Sequence, residues 1–393
     1  MESLPQEIID EIIDNLPRSG LRSSSLVAKR WKKRSQQRAF SSILFYSEYT
    51  VNSWHIHTQS DPGGVPSYAQ CARFSEITDW RDPELLGRVL RNFNSLTTLR
   101  VSDTLLPDGM LEQISREQFS KKITTLHLGS PWCSPSTLMS MTIVFPNLQN
   151  LLIRKHRIRT GRLLSDYPVL PQSRPLDSLE VVRCVPGVAE TLANLRLTSR
   201  RLTLDVKIEN IQNLLSVSSE TVEELELIGV CSLCVNCKYI NDDFVDFPDR
   251  SSSCPIDLPP FPALASLKIR VCGDAPSVHL VNILSFISSV PVLVSIFLEC
   301  WAPLRSEPGP SNTWDRLDEW LVQMDKALLL RVAWCWSSYH GGKLNHWGSF
   351  YPSSKRLAKS SMTRPGYSSS RIRRYCRSKI LEVSYMILTS FWL

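Results

Sequence analysis

A short apolar pattern, L-x-x-L-x-L, recurs along the middle of the chain and limits the folds available to it. One copy runs from Leu96 to Val101, and the next runs from Ile123 to Leu128. Successive copies are 27, 25, 28, 23, 23, 42 and 29 residues apart. This period is typical of repeat proteins, in which each unit buries its apolar face only against its neighbours. The central positions of the eight copies are Leu99, Leu126, Leu151, Leu179, Leu202, Leu225, Leu267 and Ile296.

Each copy predicts one β-strand, and the residues between copies predict helices. Several strands follow an aromatic lead-in such as Phe93-Asn94 or Phe145-Pro146. Strand–helix units of this kind stack into a solenoid with a parallel inner sheet. Over residues 93–305 the pattern resembles the irregular leucine-rich repeats, in which Cys184 and Cys272 would satisfy backbone groups of a turn. The predicted helices cover residues 83–93, 109–119, 135–144, 187–195, 208–217 and 278–288, with a closing helix from about residue 312 to 328.

The polar positions that alternate with the buried ones point away from the core, on the concave inner face of the sheet. Solenoid proteins commonly bind partners on this face. Any single residue there is better explained as part of an ordinary solvated strand face, whereas the surface as a whole favours partner binding. The candidate substrate-binding residues are Arg100, His127, Asn150, Glu180, Glu226, Lys268 and Arg270.

The first 45 residues have a different pattern, which predicts three short helices. The first helix begins near Leu4 and ends at Pro17 and Gly20. Its single apolar stripe consists of Ile8, Ile9, Ile12, Ile13 and Leu16. The apolar residues of the second stretch are Leu21, Leu26, Val27 and Trp31, and those of the third are Phe40, Ile43 and Leu44. All of them could serve the module's own core. So small a module cannot bury the whole stripe, however, and some apolar surface is predicted to remain for a partner.

Three segments of this module resemble an F-box, as found in the large fungal set of F-box proteins. They are Leu4-Pro5-x-Glu7-Ile8, Ser25-Leu26-Val27-x-Lys29-x-Trp31 and Arg38-x-Phe40. The resemblance implies docking on the Skp-type adaptor of a cullin–RING ubiquitin ligase. The adaptor-binding residues that it implies are Leu4, Pro5, Ile8, Ile12, Leu16, Leu26 and Val27, with Trp31 at the edge of the contact or in the core. The chain departs from the pattern in a short link before Leu21 and in Ala28, where a Cys is common.

Three further segments allow more than one interpretation. A basic run between Lys29 and Arg38 could be a nuclear-import or nucleic-acid patch, but it is better explained as the solvated face of the third helix. A loop insertion over residues 230–262 contains four cysteines, whose spacing fits a zinc site poorly. The four are Cys231, Cys234, Cys237 and Cys254. The tail, residues 331–393, has eleven Lys and Arg residues and one acidic residue, Glu382. It is predicted to be disordered or a gene-model artefact, with nucleic-acid binding as the alternative.

Several function classes find no support in the sequence. It contains no Gly-rich phosphate loop, no H-E-x-x-H and no G-x-S-x-G, so no catalytic motif, metal site or cofactor is predicted. The uncharged stretch from Ala275 to Leu298 is better explained as a buried helix and strand than as a membrane span. The first residues lack the features of a secretory signal, which predicts a cytoplasmic or nuclear protein with reduced cysteines.

Together these observations predict an α+β protein with an F-box, a leucine-rich-repeat-like solenoid and an irregular basic tail. The predicted segments are residues 1–45, the F-box; 46–82, a linker or irregular cap; 83–330, the repeats; and 331–393, the tail. The predicted function is substrate recognition for a Skp-cullin-F-box ubiquitin ligase, without catalysis or a small-molecule substrate. Two alternatives remain open, a ligase-independent repeat scaffold and a nucleic-acid-associated protein acting through the tail.

Overall fold

Helices and a mainly parallel sheet form the chain, which confirms the predicted α+β class. The structure is a computed structural model. The chain divides into two compact units, residues 1–198 with 208–210, and residues 199–207 with 211–393. The structure describes residues 4–59, 64–78, 80–82, 84–104, 114, 118–129, 132–133, 135–154, 157–158, 173–184, 188–205, 211–230, 258–272, 290–303, 329–340 and 343–350.

Three helices open the first unit, as predicted, but their bounds differ from the prediction. They are α1 (Gln6–Asn15), α2 (Arg18–Val27) and α3 (Lys29–Ala39). Gly20 lies inside α2, so the expectation that it ends the first helix is wrong. The extended backbone of Ala28 separates α2 from α3, which places Trp31 in α3. A third helix through Ile43 is also a wrong prediction, because residues 42–45 pair with a neighbouring strand.

The first unit contains a sheet of six parallel strands in which the repeats lie side by side. Their bounds, in sheet order, are β1 (Ser42–Phe45), β2 (Cys71–Ser75), β3 (Thr98–Ser102), β4 (Thr125–Gly129), β6 (Asn150–Arg154) and β8 (Arg174–Val182). The register aligns Leu99, Leu126, Leu151 and Leu179 across four neighbouring strands. The predicted central positions therefore occupy one row. A separate short pair joins β5 (Trp132–Cys133) to β7 (Arg157–Ile158).

Helices connect these strands, and those over residues 85–91, 135–144 and 188–194 lie in gaps between repeats where helices were predicted. The connecting helices are α4 (Glu48–Gln59), α5 (Leu85–Arg91), α6 (Pro135–Val144) and α7 (Val188–Asn194), with 3₁₀ turns at Val65–Tyr68 and Gln118–Lys122. The lead-in residues Phe93 and Phe145 are buried. Every apolar position of the L-x-x-L-x-L copies in both units is exposed by 4% or less, so the pattern marks the core.

The row of central positions extends two strands further towards the N-terminus than the sequence pattern predicts. Ile43 aligns with Ala72, and Ala72 aligns with Leu99. Segment 46–82, expected to be a linker or cap, therefore contains α4 and a strand of the sheet. Two positions further along the same strands, Phe45 stacks on its register partner Phe74 with ring centroids 5.0 Å apart. Trp54 and Phe93 continue this aromatic cluster.

A recurring turn follows three of the strands. Its first residue has a left-handed backbone, at Glu76 with φ 63°, Asp103 with φ 48° and Arg183 with φ 54°. The next residue is buried each time, and these residues are Ile77, Thr104 and Cys184. The Cys184 thiol donates to the carbonyl oxygen of Ile153 at 3.5 Å, which confirms its predicted role in the turn.

The second unit contains β9 (Leu197–Asp205), β10 (Glu224–Val230), β11 (Ser266–Cys272), β12 (Ser295–Pro303) and β13 (Leu329–His340) in parallel order, with α8 (Ile211–Ser218). β14 (Lys343–Phe350) pairs antiparallel to β13. Here the structure differs from the expected low-order tail over residues 331–340 and 343–350. The repeat pattern stops there, but β12 still pairs with β13 through its backbone, as it does with β11 on its other side.

Several predicted features lie outside the described residues. They are the cysteine cluster from Cys231 to Cys254, most of the helix predicted for residues 109–119, the helices predicted for residues 278–288 and 312–328, and residues 351–393. Of the stretch from Ala275 to Leu298, the described C-terminal part leads into β12, and Leu293, Ile296 and Leu298 are buried. Among the helices that the structure describes, none is both long enough and apolar enough to span a membrane.

Restoring the repeat pattern at Ala72 is expected to destabilise the protein. Ala72 is fully buried between the register partners Ile43 and Leu99, so Ala72→Leu enlarges a side chain inside the core. Overpacking of this kind costs about 1–3 kcal/mol in the free energy of unfolding, which urea denaturation would measure. The control, Ala28→Leu at an exposed position, is expected to change it by less than about 0.5 kcal/mol. An unchanged or increased stability of Ala72→Leu would contradict this packing.

Candidate adaptor-binding surface and sheet face

The apolar stripe of α1 is divided between the core and the solvent. Ile9 and Ile13 are fully buried and form a small core with Leu21. Leu16 and Trp31, two of the predicted adaptor-binding residues, are half-buried and pack against that core. Ile8 and Ile12 remain 43% and 38% exposed, because the module's other helices cover only one side of the stripe. As predicted, the module does not bury all the apolar residues of its first helix.

The remaining exposed apolar residues lie at two helix ends that one hydrogen bond brings together. Leu4, just before α1, is 50% exposed, and Leu26 and Val27, at the end of α2, are 83% and 66% exposed. The Arg30 guanidinium, three residues after Val27, donates to the carbonyl oxygen of Leu4. The start of α1 therefore lies beside the junction of α2 and α3. We call Leu4, Pro5, Ile8, Ile12, Leu26 and Val27, which are all exposed, the apolar ridge.

The basic run in α3 is not simply a solvated face. Arg30, Arg34 and Arg38 are spaced four residues apart, so they lie on one face of the helix, and that face contacts α1. The Arg34 guanidinium binds the Asp14 carboxylate, with Nε and Oδ1 2.9 Å apart. Arg38 donates to the carbonyl oxygen of Ile13 at 2.7 Å. The prediction of a wholly solvated face is wrong for these three residues, whereas Lys29, Lys32 and Lys33 are exposed.

These contacts have an electrostatic consequence at Asp14. The hydrogen bond from Arg34 lowers the pKa of the Asp14 carboxyl below its ordinary value of 3.8, and the charges of Arg34 and Arg38 act in the same direction. The carboxylate therefore stays ionised over the physiological pH range and keeps α3 attached to α1. A buried hydrogen bond between the Ser24 and Ser35 hydroxyls, 2.8 Å apart, holds α2 to α3. The two polar contacts fix the geometry that exposes the apolar ridge.

On the sheet of the first unit, the outward positions of neighbouring strands form a row in which three of the five residues are charged. The register aligns Arg73, Arg100, His127, Leu152 and Glu180 across β2, β3, β4, β6 and β8. Of the predicted substrate-binding residues, Arg100 is exposed and His127 and Glu180 are half-buried. Arg154 lies two residues after Leu152 and forms an ion pair with Glu180.

His127 is held in its neutral form by its surroundings. Burial of the ring lowers the pKa of His127 below its ordinary value of 6.5, and the nearby charges of Arg100, Arg154 and Arg73 lower it further. The Glu180 carboxylate acts in the opposite direction with a smaller effect. At neutral pH the imidazole therefore offers one hydrogen-bond donor and one acceptor to the solvent side of the sheet.

Asn150, another predicted substrate-binding residue, belongs to a polar ladder along the neighbouring row. Its amide nitrogen donates to the Thr125 hydroxyl at 3.4 Å, and its amide oxygen accepts a hydrogen bond from the Ser178 hydroxyl at 2.9 Å. These side chains link β4, β6 and β8 on the outward face. The ladder presents hydroxyl and amide groups beside the charged row.

In the second unit the predicted residues Glu226, Lys268 and Arg270 meet in one ion-pair cluster. Lys268 Nζ lies 3.0 Å from a Glu226 oxygen, and Arg270 Nε lies 2.7 Å from the same oxygen. Both cations also lie 3.3 Å from Glu299, which is 9% exposed. The Lys268 ammonium is 5.4 Å from the centre of the Phe297 ring. Two acids and two bases therefore neutralise one another on this face.

Sequence reasoning missed Arg73, Arg154 and Glu299. Arg73 lies in a copy written A-x-x-A-x-F, Ala69 to Phe74, which lacks the leucines but keeps their spacing. Arg154 and Glu299 each stand one residue after the last apolar position of a copy, where a strand longer than the pattern continues the alternation. Extending every copy by one outward position would have found both residues.

The described residues contain no group of three or more His, Cys, Asp and Glu side chains placed to hold a metal ion. Among the described residues, Cys71 and Cys184 form no disulfide bond. The described geometry consists of an apolar ridge on the helical module and polar faces on the sheet strands.

Comparison with known proteins assigns the helical module to a class. Residues 1–40 match the family model of the F-box domain. The chain therefore carries an F-box at its N-terminus, a domain that binds Skp-type adaptors within cullin–RING ubiquitin ligases. The family model covers α1, α2 and α3 and nothing of the sheet beyond them. No curated protein matches the chain.

Two adjacent isoleucines of α1 are expected to respond in opposite ways to the same substitution. Ile9→Asp places a carboxylate in the core and should cost at least about 4 kcal/mol, enough to unfold the module. Ile8→Asp changes an exposed position and should leave the module folded. Limited proteolysis checks this, with cleavage within residues 4–40 expected for Ile9→Asp alone. Equal susceptibility of the two variants would contradict the division of the stripe.

The lowered pKa of His127 is expected to make folding stability fall in mild acid. The unfolded chain, with the ordinary value of 6.5, binds more protons below that pH than the folded chain does. The stabilising contribution is therefore fully present above pH 6.5 and is lost as the pH falls below it. His127→Gln removes this dependence, so urea denaturation at pH 7.5 and 5.5 should show a smaller loss in the variant. An identical loss of stability between pH 7.5 and 5.5 in the wild type and the variant would contradict the lowered pKa of His127.

Proposed function

We propose that this protein is the substrate-recognition subunit of a Skp-cullin-F-box ubiquitin ligase. In this proposal the apolar ridge binds the Skp-type adaptor, and the repeats, which we take to be leucine-rich repeats, bind a target protein. The observation that carries it is the exposure of five large apolar side chains on a module whose sequence matches an F-box. The five are Leu4, Ile8, Ile12, Leu26 and Val27.

Leaving these apolar side chains in water costs free energy. Burying a Leu, Ile or Val completely contributes about 1.5–3 kcal/mol, so a partner that covers the ridge gains substantial free energy. These five side chains lie outside the buried core of the module, which consists of Ile9, Ile13 and Leu21. Selection for stability alone does not explain a Leu that is 83% exposed beside a Val that is 66% exposed. An apolar partner surface explains both.

The role proposed for the rest of the chain is positioning rather than bond chemistry. F-box proteins are typically non-catalytic subunits of the ligase. A receptor that holds a target near the conjugating enzyme raises the effective concentration of the target's lysines and so accelerates transfer. The outward positions of the strands, which carry the polar ladder and the charged residues, are the proposed substrate surface. We place this activity in the cytoplasm or nucleus, in keeping with the sequence prediction.

Acidic substitutions in the ridge are expected to abolish adaptor binding without unfolding the chain. In Leu26→Asp/Val27→Asp both changes are at strongly exposed positions, so the module should keep its fold. Desolvating two carboxylates in an apolar interface should weaken binding to a purified Skp-type adaptor by at least about 100-fold. Isothermal titration calorimetry would measure the affinities.

A matched control is available in the second unit. Val292 and Val294 are 46% and 60% exposed, so Val292→Asp/Val294→Asp adds the same charges to similar side chains away from the F-box. This variant should bind the adaptor within about twofold of wild type. If the wild-type chain ignores the adaptor, or if the ridge variant binds it as well as the control does, the proposed function fails. A ligase-independent scaffold would then be the better account.

A further inference from the structure

The two sheet faces differ in how their charges are compensated. In the second unit Glu226 and Glu299 neutralise Lys268 and Arg270 within hydrogen-bonding range. In the first unit, within the part of the chain that the structure describes, Arg73 and Arg100 make no ion pair or hydrogen bond through their guanidinium groups. On one of these faces the charges are therefore compensated by ion pairs, whereas the other face retains unmatched positive charge.

The unmatched charges are close together and point the same way. Arg73 and Arg100 are register partners on adjacent parallel strands, which places their backbones about 4.8 Å apart. Both side chains are exposed. Arg154, whose own partner is Glu180, is near enough to act on His127 together with the other two arginines. Like charges directly opposite each other on neighbouring strands destabilise a sheet, so this arrangement lowers stability in the free protein.

We infer that this face, formed by Arg73, Arg100, His127 and Arg154, binds an acidic segment of a polypeptide. A pair of adjacent guanidinium groups matches a carboxylate or a phosphate, because each fork donates two parallel hydrogen bonds to an anionic oxygen pair. Binding would relieve the repulsion between Arg73 and Arg100. The neutral His127 ring would add one hydrogen bond. The inference rests on the proposed function only in that the segment would belong to the ligase target.

The surroundings of the cations favour a peptide over a nucleic acid. Single-stranded nucleic acids bind where aromatic side chains stack against the bases. The outward positions of the described strands β2, β3, β4, β6 and β8 contain no Phe, Tyr or Trp in the rows around Arg100. They contain instead the hydroxyl and amide groups of Thr125, Asn150 and Ser178, which suit a peptide backbone.

The experiment measures the binding of a labelled acidic peptide to the full chain by fluorescence anisotropy. The probe is a fluorescein-labelled ten-residue peptide of alternating Glu and Ser, and a second probe replaces one Ser by phosphoserine. The test variant is Arg73→Glu/Arg100→Glu. The control, Lys32→Glu/Lys33→Glu, changes the net charge by the same amount at two exposed positions of α3.

We expect the test variant to bind both peptides at least tenfold more weakly than wild type, and the control to bind within twofold. The tighter of the two peptides identifies carboxylate or phosphate as the favoured anion. Arg73→Gln should in addition raise the melting temperature of the free chain, because it removes the repulsion between Arg73 and Arg100. The same variant should bind the peptides more weakly. A role in folding alone would lower the melting temperature instead, and that result would overturn the inference.

Three further results would overturn it. They are no binding of either peptide by wild type, equal weakening in the test and control variants, and tighter binding of a ten-nucleotide single-stranded DNA that depends on Arg73 and Arg100.

Adaptor affinity measured on the same variants separates this inference from the proposed function. Arg73→Glu/Arg100→Glu should bind the Skp-type adaptor like wild type, since neither residue lies on the apolar ridge. Adaptor binding that is absent while peptide binding persists would refute the proposed function and leave the anion-binding face intact.

Discussion

The F-box module depends on how α3 is fastened to α1. Arg30, Arg34 and Arg38 reach the first helix from successive turns and fix which side of its apolar stripe the module covers. Ile9 and Ile13 are then enclosed, and Ile8 and Ile12 are left outside. The adaptor-binding proposal follows from this division, because the same contacts that make the module fold also prevent it from burying its whole stripe.

The sheet follows from a different constraint, the inability of any one repeat to bury its own apolar residues. The alignment of Leu99 with Leu126 and Leu151 lets neighbouring repeats bury one another's apolar residues on one side of the strands. The other side then becomes a series of rows whose chemistry is free to vary. In the first unit one such row gathers positive charge, and in the second unit the equivalent positions pair acids with bases. The regular core thus allows two unlike surfaces.

Most strands of the sheet and the helices between them could be predicted from the sequence, because buried residues recur there with a clear period. The strands around Leu99 to Ile296 and the helices α5 to α8 were found because leucines mark them. β1 and β2 were missed, because Ala72 and Phe74 replace the leucines where an aromatic cluster fills the core. Leu26 and Val27 were placed on a partner surface only through a resemblance, since periodicity alone cannot distinguish an exposed Leu from a buried one. The ion pairs made by Glu299 and Arg154 could not be predicted, because they depend on how neighbouring strands align. A single repeat does not reveal that register.

The most direct test of the central claim is hydroxyl-radical footprinting of the full chain with and without a Skp-type adaptor. The account predicts that the adaptor protects the side chains of Ile8, Ile12, Leu26 and Val27, which are reactive in the free protein. Tyr49 and Val294, which are 80% and 60% exposed elsewhere, should keep their reactivity. Unchanged reactivity along the apolar ridge in the presence of saturating adaptor would contradict the account.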